Sequence, residues 1–344
     1  MKNLMKQMTR CAAVGLWLTT LNLLPPACFA QGQIDQRKPI SSAPFTIRAP
    51  GSYYLTTNLT IRAGTAISVN TNNVTLDLNG FTITSTETPA ASSVGILLNA
   101  AVNVTILHGF ISGGVTNNGG TYGGSGFGCG IYSGNVSSPA NVRVSGVSVS
   151  GCLNEGILLS EQNNSVVESC TVNTVGYYGI SATSVSDSTV QNCGYIGVAA
   201  ITANNCQGYG LSAYGVVART ANNCYGYSSS GHGIDADTAN NCSGYSSIGN
   251  GVIATTASNC FGDNGNGGGS GVSATTAINC VGYNENSNVS GGCGIYARIA
   301  TSCYSFSYNA TAINATLAIG CIGFSPAGTP LNVVQNVNSI VSGY

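Results

Sequence analysis

Two short stretches of the 344-residue chain hold residue types that acid–base chemistry uses. In the first, Gly231-His232-Gly233 is followed by Asp235 and Asp237. A histidine exchanges its proton near neutral pH. Carboxylates at i and i+2 of a strand face the same side about 7 Å apart, a workable separation for glycoside hydrolysis. In the second, Asp263-Asn264-Gly265-Asn266-Gly267 has some of the look of a calcium loop. A hard cation wants roughly six oxygens or more and more than one carboxylate, so a widened turn explains this stretch better. The remaining reactive type is cysteine, fourteen in all against two histidines. A zinc site needs clustered ligands such as CxxC with His. Here the cysteines come mostly one per repeat, and no metal or cofactor set emerges.

The repeat itself is the stronger signal. Aligned on cysteine, the segments read TANNCQGYG (Cys206), TANNCYGYS (Cys224), TANNCSGYS (Cys242), TASNCFGDN (Cys260) and TAINCVGYN (Cys280), with less regular copies at Cys152, Cys170, Cys193, Cys303 and Cys321. Nine residues before each regular Cys stands a Gly, then Val or Ile, then Ala two residues later, as in Gly233-Ile234-Asp235-Ala236. Three residues after it runs an aromatic column, Tyr209, Tyr227, Tyr245, Tyr283, Phe306 and Phe324, interrupted by Asp263. A fixed short period is the mark of a solenoid. Alternation of apolar and variable residues in GIDADT or GVSATT gives half-buried strands, too short and Gly-broken for helices.

These features predict an all-β, single-stranded parallel β-helix in which equivalent residues stack about 4.8 Å apart. A left-handed helix of this coil length would show three similar hexapeptides per coil; none is present, so the right-handed form is expected. A column of Cys, Ala and Gly requires a narrow interior. Asn before each Cys suits a corner in the left-handed backbone region. The cysteines read as mostly free, buried thiols that fit as small apolar residues. Stacked neighbours also lie within disulfide reach, and Cys129 with Cys293 forms a candidate separate pair.

In this frame His232, Asp235 and Asp237 are weak catalytic candidates. The glycines around His232 recur in every coil, and Arg219, one coil below Asp237, offers a solvated ion pair instead. The expected site set is therefore empty: no catalytic group beyond those three, no cofactor and no metal.

The first thirty residues read as an export signal: Lys2, Lys6 and Arg10, an apolar run from Cys11 to Leu24, and small residues before a cleavage point after Ala30. The run is short for a membrane span, which takes roughly 18 residues or more, and Pro25 disfavours a lipoprotein signal at Cys28. Signal removal leaves seven basic and eleven acidic groups, which argues against nucleic acid. No later segment is apolar enough to cross a membrane. Charged residues are 6% of the chain, against about 25% in ordinary domains.

Four regions follow: the signal (1–30), an N-terminal cap (31–65), a β-helix (66–325) with wider coils to about 185 and slim Cys-ladder coils after, and a C-terminal cap or strand (326–344). Residues 113–130 are a Gly-rich excursion. At NVTLDLNGFTI (73–83) and GSYYLTTNL (51–59) the sequence resembles bacterial right-handed parallel β-helix repeat proteins of the pectin-lyase-like superfamily. The resemblance covers most of the mature chain. It implies this fold and admits activities from polysaccharide lyases, hydrolases and epimerases to adhesins. Polygalacturonases of that superfamily carry Gly-His-Gly, aspartates in earlier coils and a later Arg-Ile-Lys. Here the preceding coils lack Asp, and Ala297-Arg298-Ile299-Ala300 lacks the Lys.

The expected function is that of an exported protein, secreted or in the bacterial cell envelope, serving as a non-catalytic surface, structural or glycan-binding solenoid. The alternative is a polysaccharide lyase, hydrolase or epimerase. Polysaccharide or cell-surface glycan is the expected partner. A third reading, ice binding through Thr202, Thr220, Thr238, Thr256 and Thr276, requires a flat outward array.

Overall fold

A computed structural model describes residues 36–342, apart from 134–139, 266 and 286–290. The expected export signal lies outside the described residues. From Arg37 onward the chain is strand and turn, with no helix among the described residues.

Each coil contributes one strand or half-strand to each of three parallel sheets. In the first sheet, Thr65–Val69, Val94–Leu98 and Cys129–Ser133 stack in order, and the column continues as Val216, Ile234, Val252, Val272, Ile295 and Ile313. The second sheet stacks Val74–Asp77 on Gly51–Leu55 and continues through columns such as Ala221, Ala239 and Ala257. The third runs from Leu59–Ile61 through Gln207–Gly210, Tyr225–Ser228 and Ser243–Ser246 to Ile340–Ser342. Registers advance one coil at a time, so the architecture is a single-stranded parallel β-helix, as the repeat requires.

The two gauges of coil are plain in the core. Early coils stack Ile67, Ile96 and Ile131 against Leu76, Ile106 and Val144 and against Ile83, Ile111 and Val149, all buried. Late coils offer one Val or Ile, two Ala, a Cys and a Gly. At Gly226, in the third sheet, an added Cβ would collide with the carbonyl oxygen of Gly233 and the side chain of Ile234. First and third sheets therefore approach backbone to backbone there, beside the Ile234 side chain. Ser305 stands in this Gly column, and its hydroxyl bonds the carbonyl of Ala312 at 2.6 Å.

Between the second and third sheets the chain turns through a left-handed residue in every late coil: Asn205, Asn223, Asn241, Asn259 and Asn279, all near φ +52°, then Ser302 and Gly320. Asn tolerates this region. Among the preceding residues, Asn204, Asn222 and Asn240 form an amide ladder, Asn240 donating to Asn222 at 3.0 Å and Asn222 to Asn204 at 2.8 Å.

All twelve described cysteines are free and buried. In the regular column each thiol donates to two carbonyls: Cys242 Sγ to Ala221 O and Asn240 O, both at 3.3 Å. A neighbouring thiol, then burial, pushes Cys224 and Cys242 up to about 12. Ser188 fills the rung between Cys170 and Cys206, and Ser339 follows Cys321. Two sequence assignments need correction. Cys152 and Cys193 do not join this column: they stand at the end of the third-sheet strand, in line with Val175 and Gly210. Nor do Cys129 and Cys293 pair, because Cys129 bonds Glu155 at 2.8 Å and Cys293 occupies a corner column after Ser270.

Above Gly210, the line holding Cys193 becomes a buried polar column of Ser228, Ser246, Asn264, Asn284, Ser307 and Ser325. Ser228 bonds Ala213 O and Ser246 bonds Gly231 O, both at 2.6 Å, so this column ties the turns into the interior, except at Ser307, whose buried hydroxyl has no partner. The Gly-rich excursion is a hairpin of Gly114–Asn118 and Thr121–Ser125. Its Tyr122 hydroxyl donates to Asn192 O at 3.1 Å, and the ring lies against the corner at Gly194.

Candidate functional site

Two outward surfaces concentrate the side chains that binding or chemistry needs. One is a groove along the first sheet. Its lower part, about 360 Å³, is lined by Glu161, Gln162, Arg219, Asp235 and Asp237 over a floor of Ala199, Ala200, Ala218 and Ala236. Its upper part, about 650 Å³, holds Tyr296, Arg298, Asn314, Thr316 and Asn332. Beside the lower part, Tyr178, Tyr195, Tyr214 and Val217 cover Ile196, Ala199 and Ala213 in a small apolar cluster separate from the main core. Tyr177 and Tyr195 stack at 4.7 Å.

The structure thus brings the three weak candidates to one place. Asp235 and Asp237 both project into the groove. Burial raises the Asp235 carboxyl above its usual range, opposed by His232. His232 is half-buried and burial lowers its pKa. Its Nδ1 accepts the Asn250 N–H at 2.9 Å, and its ring lies 5.7 Å from that of Tyr214. A neutral imidazole with Nδ1 occupied has only an Nε2–H to offer, so His232 serves here as a corner cap.

The cross-coil ion pair expected of Arg219 and Asp237 is not formed. They stand in adjacent coils, but the Arg–carboxylate pairs among the described residues are Arg37–Asp77 at 3.1 Å and Arg143–Glu168 at 2.7 Å. The long Arg side chain has no geometry to hold in open solvent. Arg298 shares their column three coils higher, about 14 Å from Asp237 at one coil per 4.8 Å. The Thr column stands at the bend between first and second sheets and gives way to Ile299 and Leu317, so it is no flat array.

The second surface is the outward face of the third sheet. The aromatic column is real and in register: Tyr209–Tyr227 at 5.9 Å, Tyr227–Tyr245 at 5.2 Å and nearly parallel, Tyr283–Phe306 at 5.9 Å, Phe306–Phe324 at 5.6 Å. A second column two residues earlier was missed in the sequence: Tyr225, Phe261 and Tyr304 pack diagonally against it at 5.6 to 6.3 Å. The signal was there, since residues i and i+2 of a strand share a face, but Gln207, Ser243 and Val281 dilute it.

Asp263 takes a ring's place between Tyr245 and Tyr283. One carboxylate oxygen, Oδ1, is buried without a hydrogen-bond partner. Burial first, and the charge of Glu285 second, push its pKa up to about 6. The calcium-loop look of this stretch dissolves, because the Asn264 amide turns inward to the carbonyls of Ile248 and Gly249.

A single chain wound into in-register parallel coils, with one groove and one aromatic face on its exterior, defines a parallel β-helix repeat protein. No protein-family model matches the chain, and no curated protein matches it.

Proposed function

We propose that this is an exported right-handed β-helix repeat protein of the pectin-lyase-like type, secreted or held in the bacterial cell envelope. It acts as a surface or structural solenoid that binds polysaccharide or cell-surface glycan without transforming it. The observation that carries this reading is the aromatic ladder on the third sheet. Tyrosine joins an apolar body to a polar tip, and the ladder presents that pair at Tyr209, Tyr227, Tyr245 and Tyr283, with rings alone at Phe306 and Phe324. A sugar chain has the same duality, C–H faces and hydroxyl edges, and an extended β-linked chain advances by about one coil spacing per sugar. The test is binding of the mature chain to a polysaccharide panel. Tyr227→Ala with Tyr245→Ala should weaken binding by roughly tenfold, about 1.4 kcal/mol. Unchanged binding overturns the ladder as the site.

A second reading, a polysaccharide lyase, hydrolase or epimerase, draws support from one observation: Glu161, Arg219, Asp235 and Asp237 line the same groove. Carboxylates in differing environments are what acid and base roles require. Incubation with pectin and alginate, read by unsaturated-uronate absorbance and by new reducing ends, decides it. Product that disappears with Asp235→Asn would replace the binding reading.

A further inference from the structure

Asp263 is at odds with its surroundings. The faces of aromatic rings carry negative charge density, so a carboxylate set among them is disfavoured, and a ring would continue the column at no such cost. Its Oδ1 is out of solvent yet unpaired. Glu285, in the turn after the next coil's strand, adds a second negative charge. The third-sheet strands from Gln207–Gly210 to Ile340–Ser342 contain no Lys or Arg to neutralise either group. Skipping one ring leaves the Tyr245 and Tyr283 backbones two coils apart, about 10 Å, with the carboxylate between them and the Tyr245 hydroxyl reaching over it to Gly265.

We propose that this gap binds the ammonium group of an amino sugar, with Asp263 as its charge partner, so that the glycan lying on the third sheet carries free amines. The proposal rests on the ladder reading above and narrows it to a substrate class. Other occupants fit worse. A neutral sugar leaves the charge unpaired, and a uronate is repelled by Asp263 and Glu285. A metal ion wants several oxygens, and Phe261, Tyr245 and Tyr283 line the gap with rings instead. An organic ammonium is attracted both to ring faces and to the carboxylate, and its carbon skeleton rests on the neighbouring rings. Apart from Asp263, the titratable groups facing the gap are Tyr225, Tyr245, Tyr283 and Glu285.

Calorimetric titration of the mature chain tests this, with glucosamine, N-acetylglucosamine and glucose oligomers of equal length as probes. The free-amine oligomer should bind about tenfold more tightly than the other two. Asp263→Asn should abolish that preference. Asp263→Tyr, which restores the ring column, should abolish it while leaving neutral oligomers bound; melting curves establish that both variants fold. The preference should also fade as pH falls through about 6, where the carboxylate takes up its proton. Equal binding of amine and acetylated oligomers, or a preference that survives Asp263→Asn, overturns the amino-sugar assignment. The ladder reading then still stands if Tyr227→Ala with Tyr245→Ala weakens binding of all three, and falls with it if that variant changes nothing. A lysine-rich peptide that outcompetes the amino-sugar oligomer through Asp263 would overturn the glycan assignment in favour of a protein partner.

Discussion

The coils before about residue 186 and those after it wind the same three sheets around very different interiors. Early coils are filled, with Ile106, Leu76 and Ile96 among the largest fully buried side chains. Their lengths vary: equivalent asparagines are 30 residues apart at Asn73 and Asn103 and 38 apart at Asn103 and Asn141. Late coils settle to 18 residues between Asn204, Asn222 and Asn240. Beyond one Val or Ile each they bury only methyls and thiols, and sheet backbone approaches sheet backbone. Early coils thus rest on apolar volume, which a loop of any length can bridge. Late coils substitute a set of repeated polar ties: the amide ladder, thiols on carbonyls, and the Ser and Asn column that anchors the turns. Those ties recur only if every coil has nearly the same geometry. The thin core and the strict repeat are one property seen twice.

That contrast is open to direct attack. The largest effect is expected where the late coils are thinnest. Gly226→Leu with Gly244→Leu places side chains where sheets touch, and overpacking beyond about 3 kcal/mol should unfold the late coils. Limited proteolysis would then cut after residue 186 and spare the early half; a protected late half would mean the sheets can part. Next in size, Ile106→Ala opens a cavity in the early core and should cost about 3 kcal/mol in denaturant unfolding. An effect below about 1 kcal/mol would show that the early core is as adaptable as a loop. At the Asn corner, Asn241→Ala puts into the left-handed region a residue that tolerates it less well than Asn and should cost about 1 kcal/mol, whereas Asn241→Gly should be nearly neutral. Equal losses would assign the amide, not the backbone, as the reason for Asn.

Smaller still, Cys242→Ser should be tolerated within about 1.5 kcal/mol, since Ser188 and Ser339 already occupy rungs of that ladder. In the native state the thiols of Cys224 and Cys242, pushed up to about 12, should resist thiol reagents at pH 8 and react only on unfolding. The smallest effect is on pH dependence. Asp263 holds its proton more tightly folded than unfolded. Its contribution is therefore fully present below about 3.8 and lost as pH rises through about 6. Stability should decline slightly across that window, and Asp263→Asn should flatten the decline.

The strand columns, the Asn corners and the change of gauge were legible because a solenoid maps sequence period directly onto space. The aromatic ladder was legible for the same reason. What escaped were features that cross coils at an angle or leave the period. The tyrosines at 177, 178, 195 and 214 converge from different corner positions, and the hairpin at 114–125 folds onto Asn192 about 70 residues away. Cys152 and Cys193 looked like ladder members because spacing alone cannot tell a corner from a strand end.

Sequence by itself determined the coil, its repeat, the inward Cys, Ala and Gly columns and the outward ladder, since each follows from residues that recur at one step. Only the tertiary structure decided which outward residues share a groove, which thiols stay unpaired and which carboxylate is left without a partner. Those depend on distances between coils and on access to water. One Asp among rings is the same letter in the sequence as an Asp in solvent, and burial alone separates them.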